Sequence, residues 1–319
     1  MKKWLLRLGG ILLVLAAVAG LGPRPKADPT LRTVALPEDL DAYLREAEAQ
    51  VPNLRPGTGK TIVWADTTRR RTPLALVYLH GFSATRAETA PLCDSLARRL
   101  GANLYYARLT GHGQGADDLA EASANDWLND GAEALAIGQR LGERVVLVGT
   151  STGATLALWL AAQPQFRETL AALVLVSPNF RPKDPMAGLL YWPWSNVLVR
   201  AFAGPYRSFE PLNAEQEHFW TTRYRSDALL DMTALLMLVD QTDLGQITAP
   251  TLVFYAPADQ VVSGPETARR FPQIGATRKQ LVEVPDAADP SDHVLAGAIL
   301  SPNTTARLID QTAAFVTGQ

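Results

Sequence analysis

The chain has 319 residues, 47% hydrophobic and 19% charged, a composition that supports a sizeable packed core and excludes a disordered protein. A net charge of −2 leaves no electrostatic footprint for nucleic acid as a partner. The single cysteine, Cys93, excludes an internal disulfide and a thiolate metal site; in its Ala-Pro-Leu context it reads as a buried structural thiol.

The N-terminus reads as an address. Lys2 and Lys3 precede a segment, Trp4 to Gly22, that is apolar except for Arg7. From Leu8 the uninterrupted run is about 15 residues, short of the roughly 20 that span a bilayer. Ala17-Val18-Ala19 offers a small-x-small cleavage site. Residues 1–19 are therefore expected to be a secretory signal peptide or, if uncleaved, a signal anchor with membrane association. Either outcome places the body outside the cytoplasm, periplasmic, secreted or anchored at the inner membrane. No cysteine follows the run, so a lipoprotein anchor is excluded. Residues 20–35, with Pro23-Arg24-Pro25-Lys26, read as a linker into a domain over 36–319.

Leu36 to Val51 places Leu40, Tyr43, Leu44 and Ala47 on one face of a helix. Thr61–Trp64 is an expected strand, and Arg69-Arg70-Arg71 a solvated turn. Leu74–Leu79 is a buried strand ending in His80-Gly81-Phe82-Ser83. A helix capped by Ser83 or Thr85 is expected to run to Leu100 and stop at Gly101. A strand over Asn103–Leu109 ends in Thr110-Gly111-His112-Gly113, and a helix over Ala124–Leu141 follows. The short β-branched run Arg144–Val148 then reads as a buried strand, Ala154–Ala162 as a helix, and Leu170–Val176 as another strand. This rhythm means an α/β fold, a mostly parallel sheet with helices on both faces.

From Asn179 to Thr248 the rhythm breaks. There is no strand pattern, but many aromatic residues (Tyr191, Trp192, Trp194, Phe202, Phe209 and Trp220 among them) and a helix from Ser226 to about Val239. A long insertion between two strands of a sheet reads as a lid or cap over the ligand crevice. The sheet resumes at Pro250–Tyr255. A helix near Pro265–Phe271, a strand over Lys279–Val284 and a last helix over Thr304–Val316 complete the chain.

The chemistry centres on Gly149-Thr150-Ser151-Thr152-Gly153. A Gly-x-Ser-x-Gly wedged between strand and helix forces a tight, strained turn that lifts the serine above the N-terminus of the next helix. A serine hydroxyl needs a base within hydrogen-bond reach, and the base needs an orienting group. Of four histidines, His80 ends an early strand, His112 lies in a Gly-rich loop and His218 in the insertion. His293 follows the last strand, where a loop can swing an imidazole over the sheet edge, so His293 is the candidate base. Asp259, at the end of the strand over Leu252–Tyr255, is the candidate acid. Asp286, Asp289 and Asp292 are alternatives in the loop that carries His293. The order Ser, Asp, His is the one this topology uses. The oxyanion donors are expected to be the backbone N–H groups of Phe82 and Thr152, with Gly81 letting the backbone approach closely.

In these residues the chain resembles the α/β-hydrolases of the monoacylglycerol lipase and carboxylesterase-like kind. His80-Gly81-Phe82 is similar to that family's oxyanion segment, Leu109–Gly113 to its Gly-His-Gly loop, Gly149–Gly153 to its elbow, Asp259-Gln260-Val261-Val262 to its acid-bearing stretch, and His293 to its base. The chain departs from many relatives in the polar Thr150 and Thr152. The resemblance implies a helical cap over about 179–248, structural or loop-ordering roles for His80 and His112, and no metal or organic cofactor. It also implies hydrolysis of small-molecule acyl esters through an acyl-enzyme. The alternatives are a peptidase or amidase, or a non-catalytic binding protein, on the same fold.

Overall fold

The computed structural model describes residues 20–318. In chain order the elements are α1 (Leu40–Ala49), β1 (Thr61–Val63), β2 (Thr72–Leu79), α2 (Leu92–Leu100), β3 (Asn103–Tyr106), α3 (Ala124–Leu141), β4 (Gly142–Thr150), α4 (Thr152–Ala162), β5 (Leu170–Val176), α5 (Ser195–Ala203), β6 (Tyr206–Ser208), α6 (Ala214–Phe219), β7 (Arg223–Arg225), α7 (Ala228–Asp240), β8 (Thr251–Tyr255), α8 (Gly264–Arg270), β9 (Lys279–Glu283) and α9 (Pro302–Thr317).

Seven strands form one sheet in the order β1-β3-β2-β4-β5-β8-β9. All neighbours are parallel except β1, which runs antiparallel to β3. Such a sheet is buried on both faces, so its central strands are apolar throughout. The period of two is visible on β4: Val145 and Leu147 pack into the core under α3, α4 and α7. Val146 and Val148 pack into the opposite core under α2 and α9. Each of these side chains, fully buried, contributes about 1.5–3 kcal/mol of transfer free energy. The long helix α3 is started by a capping box, Ser123 accepting from the Asp126 N–H while Asp126 accepts from the Ser123 N–H. Helix α4 has no polar face because all of its residues are buried. Cys93 is buried.

Three expectations need correction. The helix expected from Ser83 or Thr85 to Leu100 is broken into a 3-10 turn at Arg86–Thr89 and α2 from Leu92. Pro91 supplies no N–H and holds Ala90 extended (ψ 137°). Thr85 makes no capping bond, and its hydroxyl is buried without a partner. Gly101 does end α2, in the left-handed conformation (φ 60°). Strand β3 stops at Tyr106, short of Leu109, because the Leu109 N–H leaves the ladder for His80 Nε2 (3.0 Å). The insertion does contain strands: β6 and β7 pair antiparallel as a separate ribbon. Three residues each, polar and with Arg223 stacked 3.7 Å over the Tyr206 ring, they carry no hydrophobic alternation by which to be recognised.

Residues of the linker are pinned to the body, the Asp28 and Arg32 N–H groups donating to Asn125 and Asn129 on α3 (2.7 and 2.8 Å). Among the described residues no helix is long and apolar enough to cross a membrane. The expected address in residues 1–19 lies outside them.

Candidate active site

The turn between β4 and α4 is as tight as its sequence requires. Ser151 has φ 52° and ψ −116°, a strained region for a residue with a side chain, costing about 1–3 kcal/mol. Its N–H donates to Val176 (2.9 Å), and its carbonyl accepts from Thr155 (3.1 Å) and Asn179 (3.2 Å). The flanking glycines are there for want of space. A Cβ at Gly149 would lie 2.6 Å from the Gly153 carbonyl and 2.7 Å from Ala154 Cα, and one at Gly153 would overlap the carbonyls of Leu79 and His80. Backbone cannot step aside as a side chain can, so Gly153→Ala is expected to cost about 2–3 kcal/mol. Urea denaturation checks it; an unchanged midpoint would contradict the steric account.

His293 Nδ1 lies 2.8 Å from Asp259 Oδ2. Asp259 is itself fixed: its Oδ1 accepts from the N–H groups of Val261 (2.7 Å) and Val262 (2.8 Å). Burial would pull the His293 pKa down, but the hydrogen bond and charge of Asp259 outweigh it, with Asp289 and Glu88 adding, and hold it above the ordinary value. The other acids of that loop do different work. Asp286 pairs with Arg307 at the surface (2.9 Å). Asp289 is buried and accepts from the N–H groups of Ser291 (3.2 Å), His293 (3.1 Å) and Val294 (2.8 Å), which gives the loop its shape. Asp292 closes a turn on the Asp289 carbonyl (2.9 Å) with φ 54°.

Phe82 and Thr152 line one cavity of about 930 Å³, which Ser151, His293 and Gly81 also line. No protein acceptor among the described residues takes the N–H of either; that of Thr152 is the first of a helix, where such groups are left open. His80 orients the Phe82 peptide. Its Nε2 accepts the Leu109 N–H (3.0 Å), so the proton is on Nδ1, which donates to the Gly81 carbonyl at 2.9 Å. That carbonyl belongs to the same peptide unit as the Phe82 N–H and fixes the plane in which the N–H points. Burial pushes the His80 pKa down to about 4, so the imidazole is neutral. His112 is buried, tilted against His80 with ring centroids 4.7 Å apart. His218 is exposed, its Nε2 near the Pro56 carbonyl (2.9 Å). Neither reaches the Ser151 cavity.

The insertion walls this cavity with apolar side chains, among them Leu190, Val199, Phe202, Trp220 and Met232. It is tied to the body by Arg55, which donates to the Trp220 carbonyl (2.7 Å), and by the Thr221 N–H, which donates to Ser83 (2.7 Å). Among the described residues no group of three or more His, Cys, Asp or Glu side chains is placed to hold a metal ion. Asp289, an alternative acid in the sequence, shapes its own loop instead. Glu88 and the tying role of Arg55 had no signature in the sequence, Glu88 because it is a lone acid that accepts from Gly81 and Tyr78, and Arg55 because its acceptors are carbonyls remote in the chain.

A parallel sheet with a serine at a strained strand-to-helix turn and an Asp-supported histidine beyond the last strand defines an α/β-hydrolase. The profile of the serine aminopeptidase S33 family matches residues 71–288, and the chain belongs to that family. It is 24% identical to the thermostable monoacylglycerol lipase of Bacillus sp. (strain H-257) over 212 residues, 66% of this chain and 81% of the relative. Among solved structures it superimposes on a lipolytic enzyme from the metagenome-derived LipS and LipT work with a TM-score of 0.68 at 21% identity, covering 83% of this chain and 100% of that one. It also superimposes on the monoacylglycerol lipase of Paleococcus ferrophilus (TM-score 0.59, 15% identity, 82% and 98% covered). A third match is a soluble variant of the monoglyceride lipase of Saccharomyces cerevisiae, with a TM-score of 0.59 at 11% identity, covering 82% and 90%. The family and these likenesses support a lipase- or esterase-type hydrolase.

Proposed function

We propose that the protein hydrolyses carboxylic esters of small molecules, monoacylglycerol-like or with short to medium acyl chains, through an acyl-enzyme on Ser151. His293 removes the serine proton and returns it to the leaving alcohol. Asp259 holds the imidazole with Nε2 free to act and stabilises the imidazolium. The N–H groups of Phe82 and Thr152 receive the oxyanion, helped by the open N-terminus of α4. The observation that carries this reading is the convergence on one cavity of Ser151, a histidine backed at 2.8 Å by a fixed carboxylate, and two uncommitted N–H donors. No step requires a cofactor.

The insertion serves as a cap, and its apolar wall suits an acyl chain. Each methylene it buries is worth about 0.8 kcal/mol, roughly a fourfold gain in kcat/KM. On p-nitrophenyl esters from acetate to palmitate, kcat/KM is therefore expected to climb steeply to a medium chain length and then level or fall. A flat series would contradict an acyl pocket under the cap. The family's description as an aminopeptidase favours amide cleavage as the second reading, and aminoacyl p-nitroanilides separate the two. The basic-then-apolar start of the chain supports an extracytoplasmic location, tested by fractionating cells against a cytoplasmic marker; release without detergent then separates secreted from anchored protein.

A further inference from the structure

One buried acid on the Ser151 cavity has no part in the scheme above. Glu88 lies in the 3-10 turn Arg86–Thr89, is 3% exposed, and lines the Ser151 cavity. Its two oxygens are in different situations. Oε1 accepts from the Gly81 N–H (2.5 Å) and from the Tyr78 hydroxyl (2.7 Å). Oε2 has no hydrogen-bond donor among the described residues and is not sealed off among the buried unpaired atoms. A Cβ built on Gly81 would lie 2.9 Å from Oε2 and 3.2 Å from Ser151 Cβ. The carboxyl oxygen and the Ser151 side chain thus both border the space left by the missing side chain of Gly81. Holding the Gly81 turn needs only Oε1, so Oε2 is the carboxyl oxygen left to face the cavity, open to a donor from outside the chain.

We propose that Glu88 Oε2 is a specificity-determining acceptor for a hydroxyl group that the substrate carries within two or three bonds of the scissile ester. The inference rests on Ser151 being the nucleophile of an esterase. A neutral hydroxyl fits better than an ammonium group, because the surrounding wall is apolar and a second desolvated charge would be expensive there. Burial raises the Glu88 pKa to about 7, so assays belong at about pH 8.5, where the carboxylate accepts rather than donates. Two substrate positions share this chemistry: a hydroxyl on the alcohol side, as in a glycerol ester, and one on the acyl side, as in a 3-hydroxyacyl ester.

The test compares 1-octanoylglycerol with propyl octanoate, and methyl 3-hydroxyoctanoate with methyl octanoate, in wild type and Glu88→Gln. Glutamine keeps an oxygen for Gly81 and Tyr78 but presents an NH₂ donor to the cavity in place of Oε2. Wild type is expected to favour the hydroxylated member of at least one pair by about 10–100-fold in kcat/KM, the worth of a hydrogen bond to a charged acceptor. Glu88→Gln is expected to abolish that preference, chiefly through KM, with the plain ester little changed. The responding pair tells which side of the ester the hydroxyl occupies. Absence of a preference in wild type overturns the proposal even if the variant does not fold. An equal loss on both members of each pair overturns it too, leaving Glu88 a purely structural tie. If wild type cleaves none of these esters and p-nitrophenyl octanoate is also untouched, the esterase reading itself has failed.

Discussion

Replacing Ser151 by alanine is expected to lower kcat on p-nitrophenyl octanoate by about 10⁵–10⁶-fold, with the remainder, some 10³–10⁴ over water, owed to the oxyanion donors and to binding. The expectation follows from the site's division of labour. Of the serines that line the cavity, Ser83, Ser151 and Ser291, only Ser151 stands at the strained turn beside the open N-terminus of α4; the Ser291 hydroxyl is committed to Asp289 (2.6 Å). KM should move little, because the hydroxyl contributes almost nothing to holding the acyl chain. The fold should also survive. Ser151 is held by its backbone, through Val176, Thr155 and Asn179, and alanine at φ 52° carries the same strain as serine. A variant that keeps more than a hundredth of the wild-type kcat would remove Ser151 from the mechanism.

Asp259→Asn should be nearly as damaging, at about 10⁴-fold in kcat, for a reason particular to this site. Asp259 Oδ1 is committed to the N–H groups of Val261 and Val262. The asparagine carbonyl must take that place, which turns its NH₂ toward His293 Nδ1. Facing a donor, Nδ1 becomes the acceptor, and the ring proton moves to Nε2, where it blocks removal of the serine proton. The variant also removes the charge that holds the His293 pKa above its ordinary value. The base works only when neutral, so activity falls as pH drops through that pKa. The acid limb of kcat/KM in wild type is therefore expected above about 6.5. In the residual activity of Asp259→Asn it should shift to lower pH. A limb unmoved by the substitution would mean that Asp259 does not face the catalytic imidazole.

The elements that position this site were legible because each has a local cause. β4 is a run of buried β-branched residues, α3 carries its own capping box, and Gly149 and Gly153 leave no room for side chains. The candidate order Ser151, Asp259, His293 could be read because Ser151 and Asp259 lie just beyond apolar strands and His293 lies in the loop after the last strand. What stayed hidden is what hydrophobic periodicity does not encode. The break at Pro91 overrode a helical pattern, and the β6–β7 ribbon is held by Tyr206 against Arg223 and Asp117 rather than by any period. Glu88 reads as an ordinary surface acid beside Arg86 until the fold buries it against Gly81 and Tyr78.

Covalent capture tests the central claim most directly. Incubation with a fluorophosphonate followed by peptide mapping should place one adduct on Ser151, absent from Ser151→Ala and formed far more slowly in His293→Ala. An adduct on another residue, or none in protein shown to be folded, would contradict the claim that Ser151 is an activated nucleophile.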